Sequence, residues 1–167
     1  NVTNINLDNN LVEFSSGSLT YDYLVIAVGS KESYFGNNHW KVSAPSLKTI
    51  EDALEIRRKI LLSFETAEYE ADPAARAASL TFVIVGGGPT GVELAGAIRE
   101  IALETLKHDF RNIDTSDTRV ILIESNQRVL KNMSLESSLA AQRHLSYLGI
   151  ELRLGSRVTE VSGDFVK

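Results

Sequence analysis

The sequence contains no cysteine. Disulfides, thiolate metal ligands and a cysteine nucleophile are therefore excluded within this chain. Histidine is scarce. The three present, His39, His108 and His144, show no metal-ligand spacing, so no metal site is expected. No stretch approaches the roughly 18 consecutive apolar residues that span a bilayer. The N-terminus lacks a basic region followed by an apolar run, so it does not read as a signal peptide. Basic residues are outnumbered, 17 Lys and Arg against 22 Asp and Glu, for a net charge of −5. With no basic stripe to offset that balance, nucleic acid is not expected as a partner. Internal repeats and low-complexity tracts are also missing.

What is there is ordinary globular material. Hydrophobic residues make up 43% and charged residues 23%, enough for a core. A length of 167 residues suits one domain, or one domain with a piece of another. The first residues, Val2–Leu7, read as the middle of a strand, and Val158–Lys167 stop inside another. A piece of a longer chain is expected.

Along the chain, Val2–Leu7 and Leu11–Phe14 flank the turn composition Asp8-Asn9-Asn10, and Ser15–Ser18 with Gly17 forms the next turn. Leu19–Gly29 follows, and its dense apolar run Tyr23–Val28 predicts a buried strand. Residues 30–45 read as a connecting loop. Thr49 predicts an N-cap with Asp52 as the capping-box acid, ahead of helical spacing at Ile50, Ala53, Leu54, Ile60, Leu61 and Phe64. Asp72-Pro73 predicts a second, short helix. From there the pattern alternates. Thr81–Val85 is a strand and Thr90–Leu106 a helix with Val92, Ala95, Ile98, Ala102 and Leu106 on one face. Arg119–Glu124 is a strand, Leu135–Leu148 a helix stopped by Gly149, and Ile150–Leu154 a strand. The fold class that follows is α/β: a Rossmann-like parallel sheet with a βαβαβ unit, plus a short antiparallel β-meander.

The strand Thr81–Val85 runs into Gly86-Gly87-Gly88-Pro89-Thr90-Gly91, a G-x-G-x-x-G pattern at a strand-to-helix junction. Each glycine has its own reason. Gly86 permits the tight turn, Gly88 lets a pyrophosphate approach the backbone, and Gly91 lets the helix pack close. The helix N-terminus then offers unpaired N–H groups and partial positive charge to the phosphates. Glu124, with Ser125 beside it, ends the next strand, where a carboxylate accepts from a ribose 2′-OH and repels a 2′-phosphate. NADH is therefore expected over NADPH. Arg128 complicates that expectation, since an arginine there could meet a 2′-phosphate. Glu93 has two readings: an acid in the first helical turn, capping with Thr90, or a group beside the nicotinamide.

Thr81 to Ile98, TFVIVGGGPTGVELAGAI, resembles type II NADH dehydrogenases, the single-subunit, non-proton-pumping NADH:quinone oxidoreductases. YDYLVIAVG (Tyr21 to Gly29), SAPSLKTIEDALEIRR (Ser43 to Arg58) and RVILIESNQRVL (Arg119 to Leu130) resemble the same family. The resemblance covers nearly the whole chain and implies FAD-dependent oxidoreductase chemistry, with an NADH domain inserted into an FAD domain. It implies that residues 1–45 are part of the β-meander and the crossover from the FAD domain. Residues 46–167 are then the NADH-binding domain, truncated at its C-terminal end. It places Ala27, Val28 and Gly29 near the flavin, although the family's threonine is replaced by Val28. It places Glu93 between nicotinamide and flavin. FAD, quinone and membrane contacts would come mainly from segments outside this sequence. The expected location is cytoplasmic, or peripheral on the cytoplasmic face of the membrane, with a homodimer left open. The chain alone is expected to bind nucleotide without turnover. Two other readings stay open: the NAD(P)H domain of a ferredoxin- or nitrite-reductase-type flavoenzyme, and a non-catalytic nucleotide-binding module.

Overall fold

A computed structural model describes residues 1–29 and 31–167. Ser30, the first residue of the expected loop 30–45, lies outside the described residues. The chain divides into two compact units, Asn1–Lys31 and Glu32–Lys167.

The first unit is an antiparallel meander of β1 (Val2–Asn6), β2 (Leu11–Phe14) and β3 (Gly17–Thr20). Its turns fall at the polar and glycine positions. Gly17 takes φ +151°, a conformation that side chains disfavour, and Asn9 N–H is held by the Asn6 side chain at 3.0 Å. The strand expected over Leu19–Gly29 stops at Thr20 instead. Tyr23 is 94% exposed and Val28 89% exposed, so the run is neither strand nor core. The reason is a shortage of partners. β3 pairs only as far as Leu11↔Thr20, because β2 begins at Leu11. An apolar run becomes a buried strand only where a neighbour supplies hydrogen bonds and an apolar surface.

In the second unit, α1 (Ile50–Tyr69) begins at the expected capping box. Thr49 Oγ1 accepts from the Asp52 N–H at 3.1 Å, and the Asp52 carboxylate accepts from the Thr49 N–H at 3.1 Å. α2 (Pro73–Ser79) starts on Asp72, whose carboxylate accepts from the Ala75 N–H at 2.9 Å. β4 (Thr81–Val85), β5 (Arg119–Glu124) and β6 (Glu151–Leu154) form a parallel sheet in the order β4-β5-β6, in register at Thr81↔Arg119 and Ile121↔Glu151. β5 lies between two neighbours, and Val120, Ile121, Leu122 and Ile123 are all buried. That is why its sequence is a continuous apolar run rather than an alternating one.

α3 (Pro89–Glu100) connects β4 to β5, and α4 (Leu135–Tyr147) connects β5 to β6. The expected helix face is confirmed: Ala95, Ile98, Ala102 and Leu106 are buried against the sheet. The helix does not stay α to its end, because Ile101–Thr105 form a π turn. α4 stops at Gly149, which takes φ +77°. Phe64 of α1, fully buried, packs on Phe82 and Phe110 with ring centroids 5.8 and 5.9 Å away. Burying such a side chain contributes about 1.5–3 kcal/mol, so α1 is fastened to the start of β4.

Two polar stretches hold short 3-10 turns that the composition did not disclose: Asn38–Val42, which buries Trp40, and Thr115–Asp117. The strand expected over Val158–Lys167 is replaced by a tight return with one antiparallel bridge, Val161↔Val166. Ser162 Oγ accepts from the N–H groups of Asp164 and Phe165 at 3.1 and 3.2 Å, a side-chain-stabilised turn that competes with an extended strand.

Candidate nucleotide-binding site

The C-terminal ends of β4 and β5 carry the glycine loop and the strand-end acid side by side. Gly86 has φ +112° and donates to the Ile123 carbonyl at 2.8 Å, adding one rung beyond β4. The chain then turns sharply. Gly88 is the N-cap of α3 and has no side-chain cap, while Pro89 occupies the first turn, where its missing N–H costs nothing. The N–H groups of Thr90 and Gly91 therefore sit at a helix start that, among the described residues, no side-chain cap satisfies, which favours an anionic group in front of the loop.

The glycines differ in what surrounds them. A Cβ on Gly91 would stand 2.0 Å from the Gly86 carbonyl oxygen and 3.5 Å from Ile84 Cγ2, so no side chain fits between helix and strand. A Cβ on Gly88 would meet nothing within 4 Å, and the residue is exposed. Its openness is room for something other than protein. Gly87, expected from the sequence to belong to the cofactor-binding loop, has a specific partner. Its N–H donates to Glu124 Oε2 at 2.6 Å, and a Cβ there would lie 3.1 Å from the Glu124 side chain. The Gly87 carbonyl accepts from the Leu130 N–H at 2.7 Å, so the segment after β5 is clasped to the loop from both sides.

Glu124 is thus bonded into the site. Oε1 accepts from the Asn126 N–H at 2.7 Å, from the Asn126 side-chain amide and from the Ser125 hydroxyl at 3.1 Å. Burial pushes the Glu124 carboxyl up. The N–H groups of Asn126 and Gly87, with the Asn126 and Ser125 side chains, outweigh that effect and hold it below the usual carboxylate range. A half-buried, ionised acceptor at the mouth of a glycine loop can bind a hydroxyl and oppose a second anion.

Arg128 is spoken for. Its Nη2 donates to the Lys131 carbonyl at 2.6 Å, and its Nη1 to the carbonyls of Met133 and Ser134 at 3.2 and 3.4 Å. The guanidinium closes the turn ahead of α4.

Glu93 departs from its expected place. The helix begins at Pro89, one residue earlier than expected, and its first turn contains no acid. Gly88, not Thr90, is the N-cap, so the Thr90–Glu93 capping box does not form. Glu93 is exposed and lines an open groove of about 620 Å³ between α3 and α4, with Val92, Gly96, Ala141, Leu145 and Leu148. Ala27, Val28 and Gly29 belong to the other unit. There Gly29 takes φ +72°, and a Cβ on it would meet nothing within 4 Å.

Sequence reasoning missed Asn126 and Leu130. Asn two residues beyond a strand-end acid is a turn signal that could have been read. Leu130 offered none, since a bulky residue at φ +52° is not anticipated from its type.

Comparison with known proteins sets this geometry in context. A family profile described as pyridine nucleotide-disulphide oxidoreductase matches residues 1–166. The type II NADH:quinone oxidoreductase Ndh of Mycobacterium tuberculosis is 50% identical over 141 residues, which is 84% of this chain and 30% of that protein. A probable NADH dehydrogenase of Dictyostelium discoideum is 34% identical over 173 residues, covering 99% of this chain and 38% of its own length. Among solved structures, NDH2 from Plasmodium falciparum in complex with NADH superimposes with a TM-score of 0.74 at 26% identity, over 93% of this chain and 33% of that one. The chain therefore spans about a third of the length of the relatives it matches.

Proposed function

The chain belongs to the pyridine nucleotide-disulphide oxidoreductase family, and from that premise we propose that its parallel sheet and glycine loop hold the ADP half of NADH within an NADH:quinone oxidoreductase. The observation that carries this reading is the 2.6 Å bond between the Gly87 N–H and the Glu124 carboxylate. It makes the phosphate-facing loop and the ribose-facing acid one rigid unit.

In this reading the open face of Gly88 and the N–H groups of Thr90 and Gly91 take the pyrophosphate, with Gly86 setting the turn and Pro89 the helix start. Glu124, assisted by Ser125, accepts from the 2′-OH of the adenosine ribose. Because it is ionised, it disfavours the 2′-phosphate of NADPH. Glu93, exposed on α3, stands toward the nicotinamide half. The names of the Mycobacterium and Plasmodium relatives support NADH as donor and quinone as acceptor.

FAD belongs to the same reading. Ala27, Val28 and Gly29 offer backbone and apolar atoms only, and the open positive-φ Gly29 beside exposed Val28 suits contact along a planar ring. When bound, FAD supplies the acceptor for the nicotinamide hydride and passes the electrons on. Residues 1–45 would belong to the flavin side of the whole protein and 46–167 to the nucleotide side. Quinone and membrane contacts would come from segments outside these residues. No helix among the described residues is long and apolar enough to cross a membrane, and a peripheral location on the cytoplasmic face is proposed for the whole protein. The chain by itself holds the donor and turns nothing over.

The test is calorimetric titration of this chain with NADH and NADPH at fixed salt. Saturable binding with clear preference for NADH is expected. Equal affinity for the two nucleotides, or no binding of either, would overturn the reading.

A further inference from the structure

The Glu124 carboxylate has two oxygens with roughly two acceptor positions on each. Oε1 receives three donors: the Asn126 N–H, the Asn126 side-chain amide and the Ser125 hydroxyl. That oxygen is full. Oε2 receives one, the Gly87 N–H, and keeps one position open. Only Oε2 can take a sugar hydroxyl, and only while Oε1 is held where it is.

Asn126 supplies two of the three donors to Oε1 and is itself fixed. Its carbonyl accepts from the Gly155 N–H at 2.9 Å, and the Glu124 carbonyl accepts from the Ser156 N–H at 3.0 Å. The segment after β5 is thereby fastened to the exit of β6. Ser125 is exposed and its hydroxyl can be replaced by water; Asn126 is half-buried. The basic residue that could have favoured NADPH, Arg128, has its guanidinium committed to backbone carbonyls.

We infer that Asn126 is the positioning residue for nucleotide choice: its side-chain amide, a third donor on Glu124 Oε1 beside the Asn126 N–H and the Ser125 hydroxyl, fixes the carboxylate's orientation, so that Oε2 is presented to the ribose and Arg128 takes no part. The inference rests on the nucleotide-binding reading above and extends it to a residue that need not touch the nucleotide. Without that amide Oε1 keeps only the Asn126 N–H and the Ser125 hydroxyl, so the carboxylate is held less firmly and the sugar hydroxyl meets a less fixed acceptor. Because a hydrogen bond to an ionised partner is roughly twice as strong as a neutral one, the NADH preference should fall by about fivefold to tenfold.

The experiment titrates the chain and its Asn126→Ala, Arg128→Ala and Glu124→Gln variants with NADH and with NADPH, recording Tm for each. Asn126→Ala is expected to weaken NADH binding, leave NADPH binding and Tm nearly unchanged, and so narrow the preference, as Glu124→Gln does. Arg128→Ala is expected to leave the preference as it was. A merely structural role would weaken both nucleotides together and keep their ratio. Asn126→Ser, which retains a turn-forming side chain, reads the same ratio if the alanine variant does not fold. A narrowed preference in Glu124→Gln beside an unchanged one in both Asn126 variants overturns the inference and leaves the nucleotide reading standing. A wild-type chain that binds neither nucleotide, or both equally, overturns the two together.

Discussion

Arg99, on α3, reaches the C-cap carbonyl of α4: its Nε donates to the Leu148 carbonyl at 2.9 Å, while Nη1 donates to the carbonyls of Thr118 and Ser116 at 2.7 and 3.1 Å. One guanidinium thus ties the helix after the glycine loop to the end of the next helix and to the start of β5. Those carbonyls sit at an α-helix end and a 3-10 turn end, where backbone acceptors have no intrahelical partners. Hydrogen bonds to a charged group contribute about 1.5–3 kcal/mol. Arg99→Ala is expected to lower unfolding stability by about that much in a urea titration. Arg99→Lys should recover only a part, since an ammonium cannot span three carbonyls as a planar fork does.

The two outer glycines of the α3 start make opposite predictions. Gly91→Ala forces a Cβ to within 2.0 Å of the Gly86 carbonyl oxygen. It should lower Tm and abolish nucleotide binding together. Gly88→Ala has open space and an extended backbone that alanine adopts freely. It should leave Tm unchanged and weaken NADH binding by tenfold or more, by occupying the space the pyrophosphate needs. Thermal melts paired with titrations separate the two, and unaltered binding in Gly88→Ala would remove the loop from the site.

Thr118 is 4% exposed, and among the described residues no hydrogen bond reaches its Oγ1. A buried hydroxyl without a partner costs about 1–3 kcal/mol relative to an apolar group of the same shape. Thr118→Val keeps the β-branched outline and removes the cost. It should raise stability by about 1 kcal/mol, measured as a shift in the urea midpoint with an unchanged slope. A lower midpoint would mean that the hydroxyl is bonded in solution.

The acid side of the pH profile belongs to Glu124. Its folded-state value lies below its ordinary one, because the donors of Asn126, Gly87 and Ser125 outweigh burial. The stability it contributes is fully present above the unfolded value and is lost as pH falls through the folded one. The window therefore lies below about 4.3. Asp52 follows the same sign through the N–H groups of Lys48 and Thr49, with burial opposing them. NADH affinity should stay level from neutrality to about pH 5 and decline only below the ordinary carboxylate value. Titrations at stepped pH check this, and a decline centred near neutrality would assign the binding charge to another group.

Much of this architecture was legible in the residues. Arg119–Glu124 is a strand over its predicted span, and Thr49 with Asp52 forms the predicted cap, because both are local decisions. An apolar run bounded by turns and a hydroxyl three residues ahead of an acid carry their own chemistry. The run Tyr23–Val28 was misread for a non-local reason: the same residues are strand or coil depending on whether a neighbour is there to pair with. The Thr90–Glu93 box was misread because the helix starts at Pro89, one residue earlier than expected, which puts the cap at Gly88, two residues before Thr90. At the site, the spacing of the glycines and the position of Glu124 were visible, but the partners of Glu124 were not. Those arise from how far apart the ends of β4 and β5 stand once they are in register.

That register also sets an order of events in time. In the meander, Asn6 meets Leu11 across a short turn, whereas in the parallel sheet Thr81 must find Arg119 and Ile121 must find Glu151 across whole helices. Closing a short loop takes microseconds or less, while distant parallel pairings are slow because their entropy is lost before any contact rewards it. Refolding from denaturant should therefore show the hairpins of the first unit before the glycine loop and Glu124 are brought together. Nucleotide, added at the start, would then hasten nothing and would only slow the return to the unfolded chain.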